Sequence, residues 1–203
     1  MRPVFAFLLL GLVAACAAPP APPAPPADPS AALRADLRQG GYVIYLRHAE
    51  TETTPEPAVR DLADCSWQRN LNEQGHEQAA IIGRYLRDKG IPVTAVEASP
   101  FCRTRQTAER VFGVAPKLND DLVYHVSQTQ AQIADADARL KARLARVPPR
   151  GVNLALVGHA PMMREAASVD LPEGQGAVVK PNGDGTFRVV ARLSVNGLTP
   201  AAP

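Results

Sequence analysis

The sequence predicts an α/β fold built around a mainly parallel sheet. Three continuous apolar runs of strand length, at residues 42–46, 91–98 and 152–157, alternate with segments of helical periodicity. Buried parallel strands have this continuous apolar character because helices cover both faces of their sheet. Strands that alternate with helices along the chain are typical of α/β domains.

The chain as a whole has the size and composition of one globular domain. It contains 203 residues, which is enough to bury a sizeable core but small for two domains. The net charge of +2 and the lack of any run of Lys and Arg argue against a nucleic-acid partner. Aromatic residues make up only 5% of the chain, so a base-stacking surface is not expected either.

The first 16 residues have the pattern of an export signal. Arg2 provides a positive charge, and an apolar run of 10 residues follows at 4–13. This run is too short to span a bilayer, which requires about 20 residues. It leads into Ala14-Ala15-Cys16, which resembles a bacterial lipobox and predicts Cys16 as the lipidated residue. The alternative is an ordinary cleaved signal peptide that contains a cysteine by chance.

Residues 17–29 form a segment rich in Pro and Ala, with seven prolines. Proline lacks a backbone N–H and fixes φ, so this segment favours an extended polyproline II tether over a helix or a strand. We therefore expect residues 30–203 to form the folded domain. We expect lipid to anchor it to a membrane of the bacterial cell envelope, with the domain in the periplasm.

Local signals place the elements of the domain in order. Glycine marks helix ends, as at 40–41 and at Gly90, while capping residues and proline mark helix starts. The turn at 181–185, Pro-Asn-Gly-Asp-Gly, separates two short apolar runs and predicts a hairpin. The predicted elements are a helix at 30–39 capped by Ser30, a strand at 42–46, a loop at 49–70, a helix at 72–89, a strand at 91–98, a helix from Ser99-Pro100 to about Phe112, a helix at 128–146, a strand at 152–157, a helix opened by Pro161, and a hairpin of 177–179 with 187–193.

Polar residues follow each of the three predicted buried strands. Arg47-His48 follows the first strand, Ser99 and then Arg103 follow the second, and His159 follows the third. In an open α/β sheet, ligands bind in the crevice outside the carboxyl ends of the strands. We therefore expect these side chains to face one crevice.

Two histidines and two arginines in one crevice suit a phosphoryl group. A guanidinium matches phosphate oxygens with a planar fork of donors, and Arg103 would also lie in the first turn of a helix, where anions are favoured. A neutral histidine can attack phosphorus and become a phosphohistidine. The four histidines of the chain form no convincing metal-binding cluster, so this chemistry is predicted to need neither a metal nor another cofactor. They are His48, His76, His125 and His159.

Four segments resemble motifs of the histidine phosphatase superfamily and occur in the family's order. Arg47-His48-Ala49-Glu50 is similar to the RHG signature, with alanine in place of the usual glycine. Residues 70–79 resemble the first-helix segment, 98–108 the second-arginine motif and 157–160 the second-histidine motif. The resemblance spans residues 42–160. It implies a phosphoglycerate mutase-like fold, which is a three-layer α/β/α sandwich.

The same resemblance implies an activity and roles for the residues that match the motifs. The protein would be a phosphatase that hydrolyses phosphomonoesters through a phosphohistidine on His48. Arg47, Arg103 and His159 would bind the phosphoryl oxygens.

Two further assignments follow from the resemblance. Glu50, which comes just after the signature, would orient the loop and contact the substrate. The family's general acid is usually a carboxylate after the second-arginine helix, which points here to Asp120, or else to Asp121.

Cys65 and Cys102 remain after the predicted lipid site. In an exported protein such a pair suggests a disulfide, which would hold the long loop over the phosphate site. The alternative is two free thiols.

The sequence leaves the function open in two respects. A catalytically inert lipoprotein that binds phosphate-bearing envelope components is the alternative to hydrolysis, and a mutase is a third hypothesis. The substrate class is also open, because phosphorylated small molecules, lipids and peptides all suit the predicted crevice.

Overall fold

In the part of the chain that the computed structural model describes, residues 28–56, 61–123 and 129–201, seven strands form one sheet. The helices are α1 (Pro29–Gln39), α2 (Glu73–Asp88), α3 (Cys102–Phe112), α4 (Gln130–Ala145) and α5 (Ala160–Ala167). The strands are β1 (Val43–Arg47), β2 (Val93–Ala98), β3 (Lys117–Leu118), β4 (Asn153–Gly158), β5 (Gly176–Pro181), β6 (Phe187–Ser194) and β7 (Gly197–Pro200). A short 3-10 turn at Asp120–Leu122 follows β3.

The sheet has a parallel half and an antiparallel half. Its strand order is β3-β2-β4-β1-β5-β6-β7. The pairs β3–β2, β2–β4 and β4–β1 are parallel, whereas β1–β5, β5–β6 and β6–β7 are antiparallel. The predicted α/β fold is confirmed, with the three predicted buried strands in the parallel half. The predicted hairpin is the β5–β6 pair.

Helices cover both faces of the sheet. Successive side chains of a strand point to opposite faces, and β1 shows the consequence. Ile44 and Leu46 pack with residues of α1, α2 and α3 in one core layer, while Val43 and Tyr45 pack with residues of α4 and α5 in the other. All four side chains are buried, which explains why the strand reads as one continuous apolar run. The arrangement is the expected three-layer sandwich.

The start of α1 differs from its prediction. The helix begins at Pro29, and the carboxylate of Asp28 accepts a 2.8 Å hydrogen bond from the Ser30 N–H. Asp28 is therefore the N-cap, and Ser30 is already helical. A proline directly after the cap suits the helix start, because its missing N–H would have no partner there anyway.

The start of α3 and the two edge strands also differ from the sequence prediction. Helix α3 begins at Cys102 rather than at Ser99-Pro100, and its first N–H donates to Gln68 Oε1 of the preceding loop at 2.9 Å. A cap supplied from a distant loop leaves no local sequence signal. Strands β3 and β7 were not predicted, since two and four residues are too few for a periodic pattern.

Several predictions concern residues outside the described ranges. The export signal, Cys16, the tether up to residue 27, and His125 all lie there. Within the described ranges, no helix is both long enough and apolar enough to cross a bilayer.

Candidate active site

A polar crevice of about 250 Å³ lies at the carboxyl ends of β1 and β4. Of the five residues expected at this edge, four line it, whereas Ser99 is fully buried and contacts His159 Nε2 instead. The complete lining is Arg47, His48, Glu56, Arg69, Arg103, His159, Ala160, Pro161 and Arg164. Parallel strands gather their ends at this edge, which explains how residues more than 100 positions apart come together.

His48 is held in one orientation at the floor of the crevice. Its ring is buried, and Nδ1 lies 2.9 Å from the carbonyl oxygen of Ala49. A carbonyl can only accept, so Nδ1 carries the proton and Nε2 keeps its lone pair. Burial, with smaller contributions from the nearby guanidiniums of Arg103 and Arg47, lowers the pKa of His48 to about 3. The ring is therefore neutral near pH 7.

Backbone contacts fix the turn that carries His48. The His48 N–H donates to Gly158 O of β4, and the His48 carbonyl accepts from the Gly174 N–H, both at 3.0 Å. The next N–H, that of Ala49, donates to Thr107 Oγ1 of α3 at 2.9 Å. The nucleophile candidate is thus bound to three separate segments of the fold.

Glu50 supports this turn from behind and does not contact the crevice. Its carboxylate accepts hydrogen bonds from Asn72 at 2.9 Å and Gln78 at 3.4 Å, and it is absent from the lining. These contacts fit a role in orienting the loop, and contact between Glu50 and the substrate stays a prediction. Its backbone explains Gly75 of α2, where a Cβ would lie 2.0 Å from the Glu50 carbonyl oxygen.

Arg103 and Arg47 line the crevice and are held there by hydrogen bonds. Arg103 is 2% exposed, and its Nη1 donates to Glu56 Oε1 at 2.7 Å. Arg47 donates to Leu171 O at 2.9 Å and to Glu173 Oε1 at 3.1 Å. Both guanidiniums therefore have fixed positions at the crevice before any anion binds.

His159 lines the crevice next to His48, and the two rings are in edge-to-face contact. The two ring centroids are 5.4 Å apart, and His159 Nε2 lies 3.1 Å from Ser99 Oγ. The Tyr45 hydroxyl donates to the His159 carbonyl and accepts from its N–H, both at 2.9 Å. Gly158 makes room for this contact, since a Cβ there would lie 2.2 Å from the Tyr45 oxygen.

Neither carboxylate predicted as the general acid lies in the crevice. Asp120 and Asp121 follow the edge strand β3 and line a separate depression with Glu97 and Arg143. Asp121 is paired with Arg139 of α4 at 2.5 Å. This placement corrects the assignment of either residue as the acid. The 3-10 turn packs toward α4, on the side of the sheet away from α3.

Cys65 and Cys102 form a disulfide, with their Cα atoms 5.7 Å apart. The bond joins the long loop to the first turn of α3, directly beside Arg103. Gln68 adds to this link through its bond to the Cys102 N–H.

The sequence interpretation missed the crevice residues that come from irregular segments. Glu56 and Arg69 come from the long loop, and Glu173, which buttresses Arg47, comes from the segment before β5. Loops lack the periodicity that assigns a side chain to a face, so no sequence signal placed them. Within the described ranges, no group of three metal-binding side chains could hold a metal ion.

Comparison with known proteins bears on the family and the fold. Residues 43–123 match the family model of the histidine phosphatase superfamily (branch 1). No curated protein matches the sequence.

Solved structures of similar fold cover most of the chain. A protein histidine phosphatase SixA complexed with tungstate is 17% identical, with a TM-score of 0.57, over 76% of this chain and 97% of its own. A putative phosphohistidine phosphatase SixA from Agrobacterium tumefaciens is 24% identical, with a TM-score of 0.50, over 75% and 97%. A putative alpha-ribazole-5'-P phosphatase from Escherichia coli K-12 is 15% identical, with a TM-score of 0.58, over 74% and 95%. At these identities the likeness shows the fold.

Proposed function

We propose that this chain, which matches the family model of the histidine phosphatase superfamily over residues 43–123, is a phosphatase that hydrolyses phosphomonoesters through a phosphohistidine intermediate on His48. The single observation that carries the proposal is the state of His48. It is buried and neutral, its Nδ1 bonds to the Ala49 carbonyl, and it lines a crevice beside two arginines. A histidine in this state presents an unprotonated nitrogen where a phosphoryl group would bind.

Arg47 and Arg103 bind the phosphoryl oxygens in this mechanism. Both guanidiniums line the crevice and are held before substrate arrives, Arg103 by Glu56 and Arg47 by Leu171 O and Glu173. His159 lines the same crevice beside His48 and binds phosphoryl oxygens with the arginines, and its ring is held by the contact with Ser99 Oγ. Fixed donors stabilise the charge that develops on the equatorial oxygens during transfer.

The reaction has two displacement steps. In the first, His48 Nε2 forms a bond to phosphorus, the bond from phosphorus to the leaving oxygen breaks, and that oxygen takes a proton. In the second, a water oxygen bonds to phosphorus and the N–P bond breaks, which releases phosphate and restores neutral His48. Both steps need the ring in the orientation that the Ala49 carbonyl holds.

The neutral state of His48 can be measured directly. In ¹⁵N-labelled free enzyme, its Nε2 resonance should remain that of an unprotonated nitrogen from pH 7 down to pH 4, because burial lowers its pKa to about 3. In the unfolded chain a histidine titrates near 6.5, so the folded state binds fewer protons between these values. Folding stability contributed by this residue should therefore fall as the pH drops from 6.5 toward 3. Titration of Nε2 near pH 6.5 would contradict this part of the proposal.

The decisive test of the mechanism uses His48→Ala. Wild-type protein mixed with a phosphomonoester should form a phosphohistidine that survives base and is lost in acid. The variant should lose this adduct and turnover together, while its circular dichroism spectrum is unchanged. Turnover by a contamination-free variant at the wild-type rate would overturn the mechanism. Wild-type protein that binds tungstate but turns over no phosphomonoester would favour the inert, phosphate-binding alternative.

We also propose that lipid on Cys16 anchors the protein in the cell envelope, with the domain in the periplasm. The support is the sequence alone, namely Ala14-Ala15-Cys16 after a short apolar run. The substrate would then be a phosphorylated small molecule, lipid or peptide of that compartment. Mass spectrometry of the mature protein should find a lipidated Cys16 as its first residue. An unmodified N-terminus further along the chain would exclude the anchor.

A further inference from the structure

We propose that Glu56 is the general acid that donates a proton to the leaving group. Asp120 and Asp121 lie outside the crevice and cannot take this role. The inference rests on the proposed function, because it adds a residue to the same reaction. Among the described residues that line the crevice, Glu56 is the one carboxylate. A carboxyl group near a leaving oxygen is a common general acid.

Glu56 occupies a defined position on the Arg103 side of the crevice. Its Oε1 accepts from Arg103 Nη1 at 2.7 Å and from the Arg69 backbone N–H at 2.9 Å. The loop segment that carries Arg69 is itself held by the Cys65–Cys102 disulfide and by Gln68. The carboxylate is therefore positioned by donors on two separate segments.

The Arg103 guanidinium places this carboxylate beside the expected phosphoryl group. Its Nη1 bonds to Glu56, and both residues line the same crevice as His48. An arginine that binds a phosphoryl oxygen there would therefore hold the carboxyl group next to it. The Arg103 side chain is 3% exposed and that of Glu56 is 21% exposed, so Glu56 lies nearer to solvent. The attacking and leaving atoms lie roughly in line, so the leaving group departs away from His48, and the assignment of Glu56 requires that it depart on the Glu56 side.

The carboxylate that pairs with Arg47 does not share this position. Glu173 accepts from Arg47 Nη2 at 3.1 Å and from the Thr51 N–H at 3.4 Å, and it is absent from the crevice lining. It pairs with Arg47 without lining the crevice. The two arginines therefore have carboxylate partners in different places, and the one beside the phosphoryl pocket is Glu56.

The proton can arrive with the substrate. A phosphomonoester has a second pKa of about 6, so its monoanion is populated near neutral pH. When the monoanion binds, its proton lies between a phosphoryl oxygen and the Glu56 carboxylate, and Glu56 takes it. As the N–P bond forms and the leaving P–O bond breaks, Glu56 gives this proton to the leaving oxygen. In the second step, the Glu56 carboxylate accepts a proton from the attacking water, and that proton leaves with phosphate.

The test compares leaving groups in Glu56→Gln. For p-nitrophenyl phosphate, whose leaving group departs as a stable anion, kcat/KM should stay within about threefold of wild type. For glycerol 3-phosphate, whose alkoxide needs a proton, it should fall by about 10²- to 10⁴-fold. The ratio kcat/KM is the right quantity, because it covers every step up to departure of the leaving group and excludes hydrolysis of the phosphohistidine. Asp120→Asn is the matched control, because Asp120 is an exposed carboxylate outside the crevice. It should leave kcat/KM unchanged for both substrates.

Each outcome decides between this assignment and its alternatives. Equal slowing with both substrates would make Glu56 a structural partner of Arg103 and overturn the proposal. If the wild-type enzyme forms no phosphohistidine, the proposed function fails. If the wild type forms it and Glu56→Gln slows both substrates equally, only the assignment of Glu56 fails. Glu56→Asp serves if the Gln variant does not fold. Its shortened carboxyl should slow glycerol 3-phosphate more than p-nitrophenyl phosphate, and a uniform effect would again refute the assignment. Tungstate binding to each variant shows that the phosphoryl pocket is intact.

Discussion

The two halves of the sheet contribute differently to the candidate active site. In the parallel half, β1, β2 and β4 end at one edge, and Arg47, His48, Arg103 and His159 lie at or just after those ends. In the antiparallel half, β5, β6 and β7 alternate in direction, so no edge collects consecutive strand ends. That half supplies apolar burial, and the segment before it supplies Glu173, which supports Arg47 from outside the crevice.

Burial instead falls from the centre of the sheet toward its edges. Every residue of β4 and all of β5 except Lys180 are buried, whereas β3 is exposed and in β6 only Ala191 and Leu193 are buried. The halves therefore differ in the location of the crevice rather than in burial. Substitutions at the crevice end of the parallel half should affect catalysis, while those in the antiparallel half should affect stability alone. The following experiments test this contrast, from the largest expected effect to the smallest.

Arg103→Ala should have the largest effect of the four, and it should act on catalysis. Loss of a preorganised donor to the developing charge should lower kcat/KM by about 10²- to 10³-fold, or about 3–4 kcal/mol of transition-state stabilisation. Steady-state kinetics with p-nitrophenyl phosphate measures this. Arg139→Ala is the control, since Arg139 forms an exposed pair with Asp121 away from the crevice. A loss below tenfold would remove Arg103 from the phosphoryl site.

Removal of the disulfide should come next and should act mainly on stability. Cys65 and Cys102 are 37 positions apart, and closing a loop of that length stabilises by about 3–4 kcal/mol in the chain-entropy model. Denaturant unfolding of wild type with and without reductant should show this difference, and the double variant Cys65→Ala/Cys102→Ala should not respond to reductant. A reductant-insensitive wild type would show that the bond contributes nothing.

Tyr45→Phe probes a buried contact that links the parallel core to the site. It removes the hydroxyl that bonds both the carbonyl and the N–H of His159, and should cost about 1–3 kcal/mol of folding stability. A decrease in kcat/KM should accompany this, because His159 loses its backbone support. Tyr42→Phe is the comparison, since the Tyr42 hydroxyl bonds only to Asp36 at 3.2 Å in a part-buried setting. Equal effects of the two substitutions would contradict the link.

Gly183→Ala tests the antiparallel half. Gly183 has φ of 87° at the tip of the β5–β6 hairpin, and nothing lies within 4 Å of a Cβ there. The left-handed backbone alone should cost about 1–2 kcal/mol of stability, with kcat/KM unchanged. Thermal unfolding and kinetics on the same sample measure both. A change in kcat/KM of more than twofold would contradict the expectation that the antiparallel half affects stability alone.

Much of the parallel half could be predicted from the sequence because its signals are local. Continuous apolar runs identify β1, β2 and β4, and the polar residues after each run identify His48, Arg103 and His159. The rule that parallel strands end at one edge then brings these residues together without any knowledge of packing. The same reasoning failed at Ser99, because Gln68 of a distant loop, and not a neighbouring side chain, bonds to the first N–H of α3.

The sequence by itself determined the strands, the order of the motifs and the four residues at the strand ends, since each depends on a few neighbouring positions. Only the tertiary structure decided which carboxylates accompany them. Asp120 and Asp121 stand at the place along the chain that the family resemblance implies, but the 3-10 turn after β3 directs them to α4. Glu56 belongs to an irregular loop, and its position depends on Arg103 and on the Arg69 backbone. Loop side chains are placed by long-range contacts rather than by backbone periodicity, and those contacts exist only after the chain has folded.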